Sequence, residues 1–341
     1  MLTKALEQIL RGEHLDTEIA ESAMGEIMDG IATPAQIGAF LASLRLKGEQ
    51  VQEIIGFARA MRARATRFPL DIPGLVDTCG TGGDGAHTFN ISTASAIVAA
   101  SDGVRIAKHG NRAVSSKSGS ADVLEALGVP VNLSPEAAAD CLRITNLCFL
   151  FAPLYHQAMK HAAGPRKELA VRTVFNLLGP LTNPANASHQ LMGVYDAKLL
   201  TTVASVLGQL DVKRALVVAG ADGLDELTVT GISHIAELRD GKITTYEIEP
   251  EQFGLRRHDK EALRGGDAVE NAAIIHDVFA GERGAARDIV LLNAGAILYL
   301  ANQVSSLEKG VIRAAELIDD GLVMKKLEQI RHIAGGLIHA S

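Results

Sequence analysis

The stretch that decides the fold is Asp77-Thr78-Cys79-Gly80-Thr81-Gly82-Gly83-Asp84-Gly85, which lies between a predicted strand at residues 75–78 and a predicted helix. Four of its last six residues are glycines, so backbone amides can approach a ligand without obstruction by side chains. Neither the dinucleotide fingerprint nor the P-loop ending in Lys-Ser/Thr is present. Taken alone, the glycines fit a tight turn after a strand as well as they fit an anion site.

Two further segments supply groups that bind phosphate. Asn90-Ile91-Ser92-Thr93 opens the next predicted helix, where unpaired amides and two hydroxyls can hold phosphate oxygens. The next predicted strand is followed by Lys108-His109-Gly110-Asn111-Arg112-Ala113-Val114-Ser115-Ser116-Lys117-Ser118-Gly119-Ser120, with three cations and four hydroxyls. Such a local excess of donors suits a polyanion, although a solvated loop is the alternative reading.

An acidic segment follows another apolar strand. Gly220-Ala221-Asp222-Gly223-Leu224-Asp225-Glu226-Leu227-Thr228 comes directly after residues 215–219, at the strand end where an open α/β sheet keeps its ligands. Magnesium prefers one or two carboxylates plus substrate phosphate oxygens, so Asp225 and Glu226 could hold it, together with the hydroxyl of Ser92. An acidic helix start that favours the helix dipole explains the same residues in isolation.

The remaining chemical signals are weaker. Gly164-Pro165-Arg166-Lys167 opens a predicted helix over 166–178, and a lone arginine there is usually a surface residue. The three cysteines, Cys79, Cys141 and Cys148, are too few and too irregularly spaced for a disulfide framework or a zinc motif. The sequence also lacks the His-Glu-x-x-His and Gly-x-Ser-x-Gly patterns, which argues against zinc-dependent and covalent mechanisms.

Composition limits the class of protein. A chain of 341 residues with 47% hydrophobic and 21% charged residues is long enough for one large or two moderate domains. No stretch reaches the roughly twenty apolar residues of a membrane span, so we expect a cytoplasmic protein without a membrane partner. A net charge of −7 opposes a general role in nucleic-acid binding.

Periodicity predicts the domain organisation. Residues 1–67 indicate helices only, with Thr33 as a cap before Pro34 and Gly48 as a helix end. Two prolines and a glycine within 68–74 mark a boundary. The prediction is a helical domain over 1–70, rejoined by about 164–187, and an α/β domain formed by 75–163 and 188–341.

Short apolar runs alternate with helical stretches after the boundary. This alternation predicts a mainly parallel sheet covered by helices, with strands at 75–78, 104–107, 147–151, 191–195, 215–219 and 289–293. Residues 235–239 and 242–248, joined by Asp240-Gly241, predict a β-hairpin. The fold class is therefore α/β, with a mostly parallel sheet that is mixed at one edge.

The motifs at 80–85, 90–93, 108–120 and 222–228, in this order, resemble the anthranilate phosphoribosyltransferase family, and the resemblance runs along essentially the whole chain. It implies a fold of the nucleoside phosphorylase and phosphoribosyltransferase type, with the active site between a helical and an α/β domain. It also implies a magnesium-dependent homodimer that transfers the phosphoribosyl group of 5-phosphoribosyl-1-diphosphate to the amine of anthranilate, the second step of tryptophan biosynthesis.

The resemblance also implies roles for individual residues. The phosphoribosyl diphosphate site would comprise Gly80, Gly83, Asp84, Thr88, Asn90, Ile91, Ser92, Thr93, Lys108, His109, Gly110, Asn111, Arg112, Ala113, Val114, Ser115, Ser116 and Ser120. Anthranilate would meet Gly80, Asn111 and Arg166, with His109 and Pro180 as neighbours. Ser92, Asp225 and Glu226 would ligate magnesium. No residue is assigned as a general acid or base, and closure of the helical domain over the site is expected.

Two other readings remain open at this point. One is a pyrimidine nucleoside phosphorylase, or a phosphoribosyltransferase with a different aromatic acceptor, since these share the fold. The segment 108–112 and the Asp225-Glu226 pair favour the anthranilate enzyme. The other is a catalytically silent relative that binds nucleic acid through a basic groove, which the acidic net charge opposes.

Overall fold

The computed structural model describes residues 1–113 and 117–340, and seven strands in this part of the chain form one sheet. The strands are β1 (Val76–Gly80), β2 (Ile106–Gly110), β3 (Leu147–Phe151), β4 (His189–Gly193), β5 (Arg214–Gly220), β6 (Ser233–Arg239) and β7 (Lys242–Ile248). The helices are α1 (Leu2–Leu10), α2 (Thr17–Met28), α3 (Pro34–Lys47), α4 (Val51–Ala63), α5 (Ile91–Ser101), α6 (Ser120–Ala126), α7 (Pro135–Thr145), α8 (Ala152–Tyr155), α9 (Lys160–Leu169), α10 (Phe175–Leu178), α11 (Leu200–Gln209), α12 (Ala268–Phe279), α13 (Ala285–Leu300), α14 (Leu307–Asp319) and α15 (Leu322–Ala340).

The strand order places the site. It runs β3-β2-β1-β4-β5-β6-β7: the first five strands are parallel, and β6 runs antiparallel to both of its neighbours, β5 and β7. The chain therefore builds outward from β1 in one direction and from β4 in the other. A crevice opens at such a switch point, beyond the carboxyl ends of the strands. The predicted α/β class with a mostly parallel sheet is confirmed, as is the hairpin, which forms β6 and β7.

The two faces of the sheet bury different cores. Along β5, Leu216 and Val218 join a core with the helices α5, α7 and α12 to α15, whereas Ala215 and Val217 join a core with α1 to α4 and α11. This follows from the two-residue period of a strand, which sends successive side chains to opposite faces. One face of the sheet is thus continuous with the core of the N-terminal helices.

The N-terminal helices begin and end where the sequence predicts. Thr33 and Gln36 form a reciprocal capping box at the start of α3, with Pro34 in the first turn. Gly48 ends this helix with a φ of 85°, a conformation that favours glycine. Ile37, Phe40, Leu41 and Leu44 of α3 are buried, so the apolar stripe of this helix faces the helical core.

The segment after β3 returns to the N-terminal helices. Helix α9 packs against α2 and α3, while α10 and the short 3-10 helix Pro180–Thr182 pack against α4. Arg62 on α4 fastens this contact, because its guanidinium donates to Leu181 O at 2.8 Å and to Leu210 O at 3.0 Å. The domain bounds drawn from the sequence stay a prediction.

Two predicted elements are wrong. Residues 289–293 lie inside α13 rather than in a strand: this helix is buried on nearly every side, so its apolar run is too continuous to show the helical period. The helix predicted over 166–178 begins earlier, at Lys160, includes Pro165, and ends at Leu169, where Ala170 takes a left-handed conformation with φ of 50°. Within the described ranges, no helix is both long and apolar enough to cross a membrane.

Glu53 ties the helical bundle together through a buried carboxylate. Its side chain is fully buried, pairs with Lys47 Nζ at 2.8 Å, and accepts the backbone N–H groups of Leu15 and Gln50. We expect Glu53→Ala to lower the free energy of unfolding by about 3 kcal/mol, because it leaves a buried ammonium unpaired. Urea denaturation measures the change.

Asp140→Ala is the matched control for Glu53→Ala. It removes the exposed Arg143–Asp140 pair, in which both side chains are about half exposed. Such a pair contributes at most about 1 kcal/mol. Equal losses of stability in the two variants would contradict the role given to Glu53.

Candidate functional site

A cleft of about 770 Å³ lies beyond the carboxyl ends of β1 and β2 and faces the α9 to α10 segment. The α/β side contributes the glycine turn, the start of α5 and the loop after β2. The helical side contributes Met61 from α4 and residues from α9 and α10. The cleft therefore has two walls that come from different parts of the fold, which suits a reaction between two substrates.

Close packing of glycines fixes the acidic pair in the cleft wall. Gly80 ends β1 and Gly193 ends β4, and a side chain on either would collide with Asp225, at its carboxylate or at its backbone. The Gly82 N–H donates to Asp225 Oδ2 at 2.7 Å. The absence of side chains at the two strand ends is thus what lets the segment 222–228 reach the centre of the cleft.

Like charges accumulate in this wall. Burial raises the pKa of Asp225, and the neighbouring carboxylate of Asp84 raises it further. Burial and the charge of Asp225 likewise raise the pKa of Glu226. Two adjacent carboxylates whose ionised forms are disfavoured gain strongly from a divalent cation. This donor set fits magnesium, which takes few protein carboxylates and completes its shell with other oxygens.

Lys108 connects the acidic pair to the floor of the cleft. It is 3% exposed, and its ammonium donates to Thr78 O at 2.5 Å and to Ser92 Oγ at 3.1 Å. Desolvation lowers the pKa of this lysine, while the charges of Asp77 and Glu226 act in the opposite direction. The backbone N–H of Ser92 acts on the Glu226 carboxylate and lowers its pKa, against the effect of burial. Lys108, Ser92 and Glu226 form one contiguous group.

The loop after β2 is held by Asp122 at the start of α6. The Asp122 carboxylate accepts the N–H groups of Ala113 and Gly119 at 2.9 and 2.8 Å. The guanidinium of Arg112 pairs with Asp122 at 3.0 Å and with Glu125 at 2.6 Å. The cation of Arg112 thus lines the cleft with its charge already paired.

The opposite wall carries a cation without a carboxylate. The guanidinium of Arg166 lies 4.8 Å from the centre of the Phe175 ring, and burial lowers its pKa. No acidic side chain pairs with it in residues 1–113 or 117–340. Arg166 can therefore pair with an anionic ligand without first breaking an ion pair.

Two histidines lie at the inner end of the cleft. The rings of His109 and His156 are 5.0 Å apart between centres, and both residues are 7% exposed. Burial and the neighbouring His156 lower the pKa of His109 to about 3, and burial lowers the pKa of His156 to about 4. The Nε2 atoms of both rings have no hydrogen-bond partner among the described residues. This end of the cleft presents neutral imidazoles.

Most residues singled out from the sequence line this one cleft. They are Gly80, Gly83, Asp84, Thr88, Asn90, Ile91, Ser92, Lys108, His109, Gly110, Asn111, Arg112, Ala113, Ser120, Arg166, Pro180, Asp225 and Glu226. Thr93 lies behind the first turn of α5 and is 1% exposed. Val114, Ser115 and Ser116 lie outside the described residues.

Sequence reasoning found Arg166 and Pro180 on the helical side but missed the rest of that wall. His156, Met159, Lys160, Phe175 and Asn176 line the cleft but show no phosphate motif. The only signal was the turn chemistry at Gly179 and Pro180, which also line it. A further missed residue is Arg172, whose guanidinium lies 4.1 Å from the centre of the Tyr195 ring and would be 3.2 Å from a side chain added at Gly83.

Comparison with known proteins gives one consistent result. Family models match residues 3–65 as a glycosyl transferase family helical bundle domain and residues 73–324 as a glycosyl transferase family a/b domain. The chain is 86% identical to the anthranilate phosphoribosyltransferase of Brevibacillus brevis, over the full length of both.

Solved structures agree with this comparison. The chain superposes on the Thermus thermophilus anthranilate phosphoribosyltransferase with a TM-score of 0.92, at 43% identity, over 97% of this chain and 99% of that one. It superposes on the Saccharomyces cerevisiae anthranilate phosphoribosyltransferase, solved in complex with PRPP and Mg, with a TM-score of 0.90, at 27% identity, over 98% of each chain.

The histidine pair generates a prediction about protonation. We expect the ring resonances of His109 and His156 in NMR spectra to stay constant from about pH 6 to about pH 8, a range in which an ordinary imidazole titrates. The lowered pKa of each ring keeps it neutral throughout this range. The same resonances in the urea-unfolded chain are the control and should titrate. A shift of either folded-state resonance near neutral pH would refute the neutral pair.

Proposed function

The chain belongs to the anthranilate phosphoribosyltransferase family, and we propose how its cleft performs the reaction of that family. The chain is a glycosyltransferase of tryptophan biosynthesis that moves the phosphoribosyl group of 5-phosphoribosyl-1-diphosphate to the amine of anthranilate. The observation that carries the assignment to this cleft is the meeting of the glycine turn at 80–85, the Asp225-Glu226 pair and Arg166 in one cavity. The α/β wall offers groups for the donor substrate, and the helical wall offers Arg166 for the acceptor.

The donor substrate lies against the α/β wall in this proposal. The glycine turn, the start of α5 and the loop after β2 offer backbone amides and hydroxyls to its phosphates. Asp225 and Glu226 would hold magnesium with the hydroxyl of Ser92, since oxygen ligands in this number leave room for diphosphate oxygens. A metal held there would supply positive charge to neutralise the leaving diphosphate.

The acceptor lies between the walls. Arg166 pairs with the carboxylate of anthranilate, because its guanidinium is half-buried and unpaired within the described chain. Gly80 and Asn111 face the acceptor from the α/β side, with His109 and Pro180 nearby. The amine of anthranilate is uncharged at neutral pH, so its nitrogen can attack the anomeric carbon without a strong base. The imidazoles of His109 and His156 at this end of the cleft are also neutral, so they do not protonate the amine.

Positioning of the two substrates and exclusion of water from the cleft account for most of the rate enhancement. As the bond to diphosphate breaks, the anomeric carbon takes on oxocarbenium character and the amine forms the new bond from the opposite face. Movement of the helical part toward the sheet brings Arg166 to the donor and shields the cation from hydrolysis. The amine proton is lost afterwards to water or a neighbouring group.

We also propose the organisation that the resemblance implies. A helical domain over 1–70, rejoined by about 164–187, closes on an α/β domain formed by 75–163 and 188–341. The enzyme acts as a cytoplasmic homodimer. Leu46 on α3 is 91% exposed and Ile31 is 68% exposed, so the helical part carries apolar surface that a second protomer would cover.

Arg166→Ala tests the acceptor site. We expect it to raise the KM for anthranilate by about tenfold or more, because a charge-assisted hydrogen bond to the carboxylate is lost. The KM for 5-phosphoribosyl-1-diphosphate should change little. Lys167→Ala is the control, since Lys167 is the next residue of α9 and is exposed. Equal increases of both KM values in the Arg166 variant would reject the assigned role.

Asp225→Asn tests the metal site and the reaction together. Anthranilate fluorescence should fall with time only when magnesium and 5-phosphoribosyl-1-diphosphate are both present. In the variant the rate should drop by on the order of a hundredfold, because the charge on the leaving group is no longer neutralised. Its thermal unfolding midpoint without metal should not fall, because removing one of two buried like charges favours the folded state.

Glu261→Gln is the matched control for Asp225→Asn, because it removes an acidic charge near the cleft whose side chain is 81% exposed. It should keep the wild-type rate. A metal-independent loss of fluorescence in the wild type, or an unchanged rate in the Asp225 variant, would reject the proposed function.

A further inference from the structure

Asn90 stands at the cap position of α5 but does not cap it. A cap asparagine normally accepts a hydrogen bond from an amide of the first helical turn. The Asn90 side chain makes no such bond to α5, all of whose residues are described. Its carboxamide is instead turned away from the helix, which leaves the first turn without a side-chain oxygen over it. This orientation needs a cause outside α5.

The cause is a pair of donors on the carboxamide oxygen. Asn271 Nδ2 donates to Asn90 Oδ1 at 3.0 Å, and Ser118 Oγ donates to the same oxygen at 3.3 Å. Asn90 Nδ2 donates in turn to Ser118 O, also at 3.3 Å. Ser118 belongs to the loop after β2. Asn90 therefore links the start of α5 to the loop after β2, which are the two phosphate-binding segments. Asn271 holds Asn90 from a third element, α12.

Asn271 is itself fixed from the other side. It is 2% exposed on α12, and its Oδ1 accepts the Gly266 N–H at 2.7 Å. Gly265 packs so closely that a side chain there would lie 2.6 Å from both Asn271 Oδ1 and Phe89 N. The Gly265 N–H donates to His87 O at 2.9 Å. The strap at residues 263–266 thus holds Asn271 against the end of the glycine loop.

We propose that Asn271 is a positioning residue for the donor substrate. It holds the Asn90 carboxamide off the first turn of α5, so that this turn stays open to a phosphate group, and it aligns that turn with the loop after β2. Asn271 is not among the described residues that line the cleft, so it acts through Asn90. The inference rests on the proposed function, which places the phosphates of the donor at α5.

A double-mutant cycle tests this coupling. Isothermal titration calorimetry with magnesium and 5-phosphoribosyl-1-diphosphate should give a Kd that is about fivefold to tenfold weaker in Asn271→Ala, the size expected for one lost hydrogen bond. The KM for anthranilate should stay within about twofold. In the Asn90→Ala background, Asn271→Ala should have no further effect on the Kd, because its only route to the substrate is gone.

Two additional variants separate positioning from stability. Asn302→Ala removes a carboxamide that accepts from Arg214 at the amino end of β5, far from the cleft, and should lower the unfolding temperature without changing the Kd. Asn271→Asp keeps the size and the acceptor for Gly266 but places a carboxylate against Asn90 Oδ1. It should weaken the Kd at least as much as Asn271→Ala, and it serves if the alanine variant does not fold.

The outcomes distinguish a failure of the role of Asn271 from a failure of the proposed function. Equal effects of Asn271→Ala in the wild-type and Asn90→Ala backgrounds, or equal weakening of both substrates, would overturn the role of Asn271. An unchanged Kd in Asn90→Ala alone would overturn the placement of the donor at α5. A wild-type chain that binds no donor in the presence of magnesium would instead overturn the proposed function.

Discussion

The site depends on the close approach of an acidic loop to two strand ends that carry no side chains. Gly80 and Gly193 end the neighbouring strands β1 and β4, and the backbone and carboxylate of Asp225 occupy the space that their side chains would fill. This contact brings two carboxylates into a wall where burial opposes their ionisation. The resulting electrostatic penalty is what a divalent cation would relieve. The packing at the ends of β1 and β4 therefore also places the carboxylates that would bind the metal.

The cations of the cleft fall into two groups with different consequences. Lys108 and Arg112 are already committed, the first to Thr78 and Ser92 and the second to Asp122 and Glu125. Their main effect is to hold the two phosphate loops in place. Arg166 and Arg172 contact aromatic rings and have no acidic partner within the described ranges. The positive charges of Arg166 and Arg172, which have no acidic partner within the described ranges, thus lie on the segment that packs against the N-terminal helices.

This division suits a transfer that must exclude water. The α/β wall is organised by many backbone hydrogen bonds and by buried side chains such as Asn271, so it can hold a charged donor in one geometry. The helical wall contributes a cation on α9, which packs mainly on α2 and α3. In the proposed reaction, the relative position of the two walls changes so that the acceptor meets the donor.

The sequence by itself determined many features that depend on neighbours along the chain. The glycine turn, the capping box at Thr33, the β6–β7 hairpin and the mostly parallel character of the sheet follow from local propensity and from the period of apolar residues. The motifs at 80–85, 108–120 and 222–228 could be expected to meet because each follows a strand, and parallel strands end at the same edge of a sheet. Only the tertiary structure decided the rest. Residues 289–293 are predicted as a strand because burial on nearly every side hides the helical period of α13. The neutral histidine pair, the half-buried cation of Arg166 in the cleft and the link from Asn271 to Asn90 depend on contacts between separate elements. Such contacts arise from packing between elements, which a one-dimensional pattern does not encode.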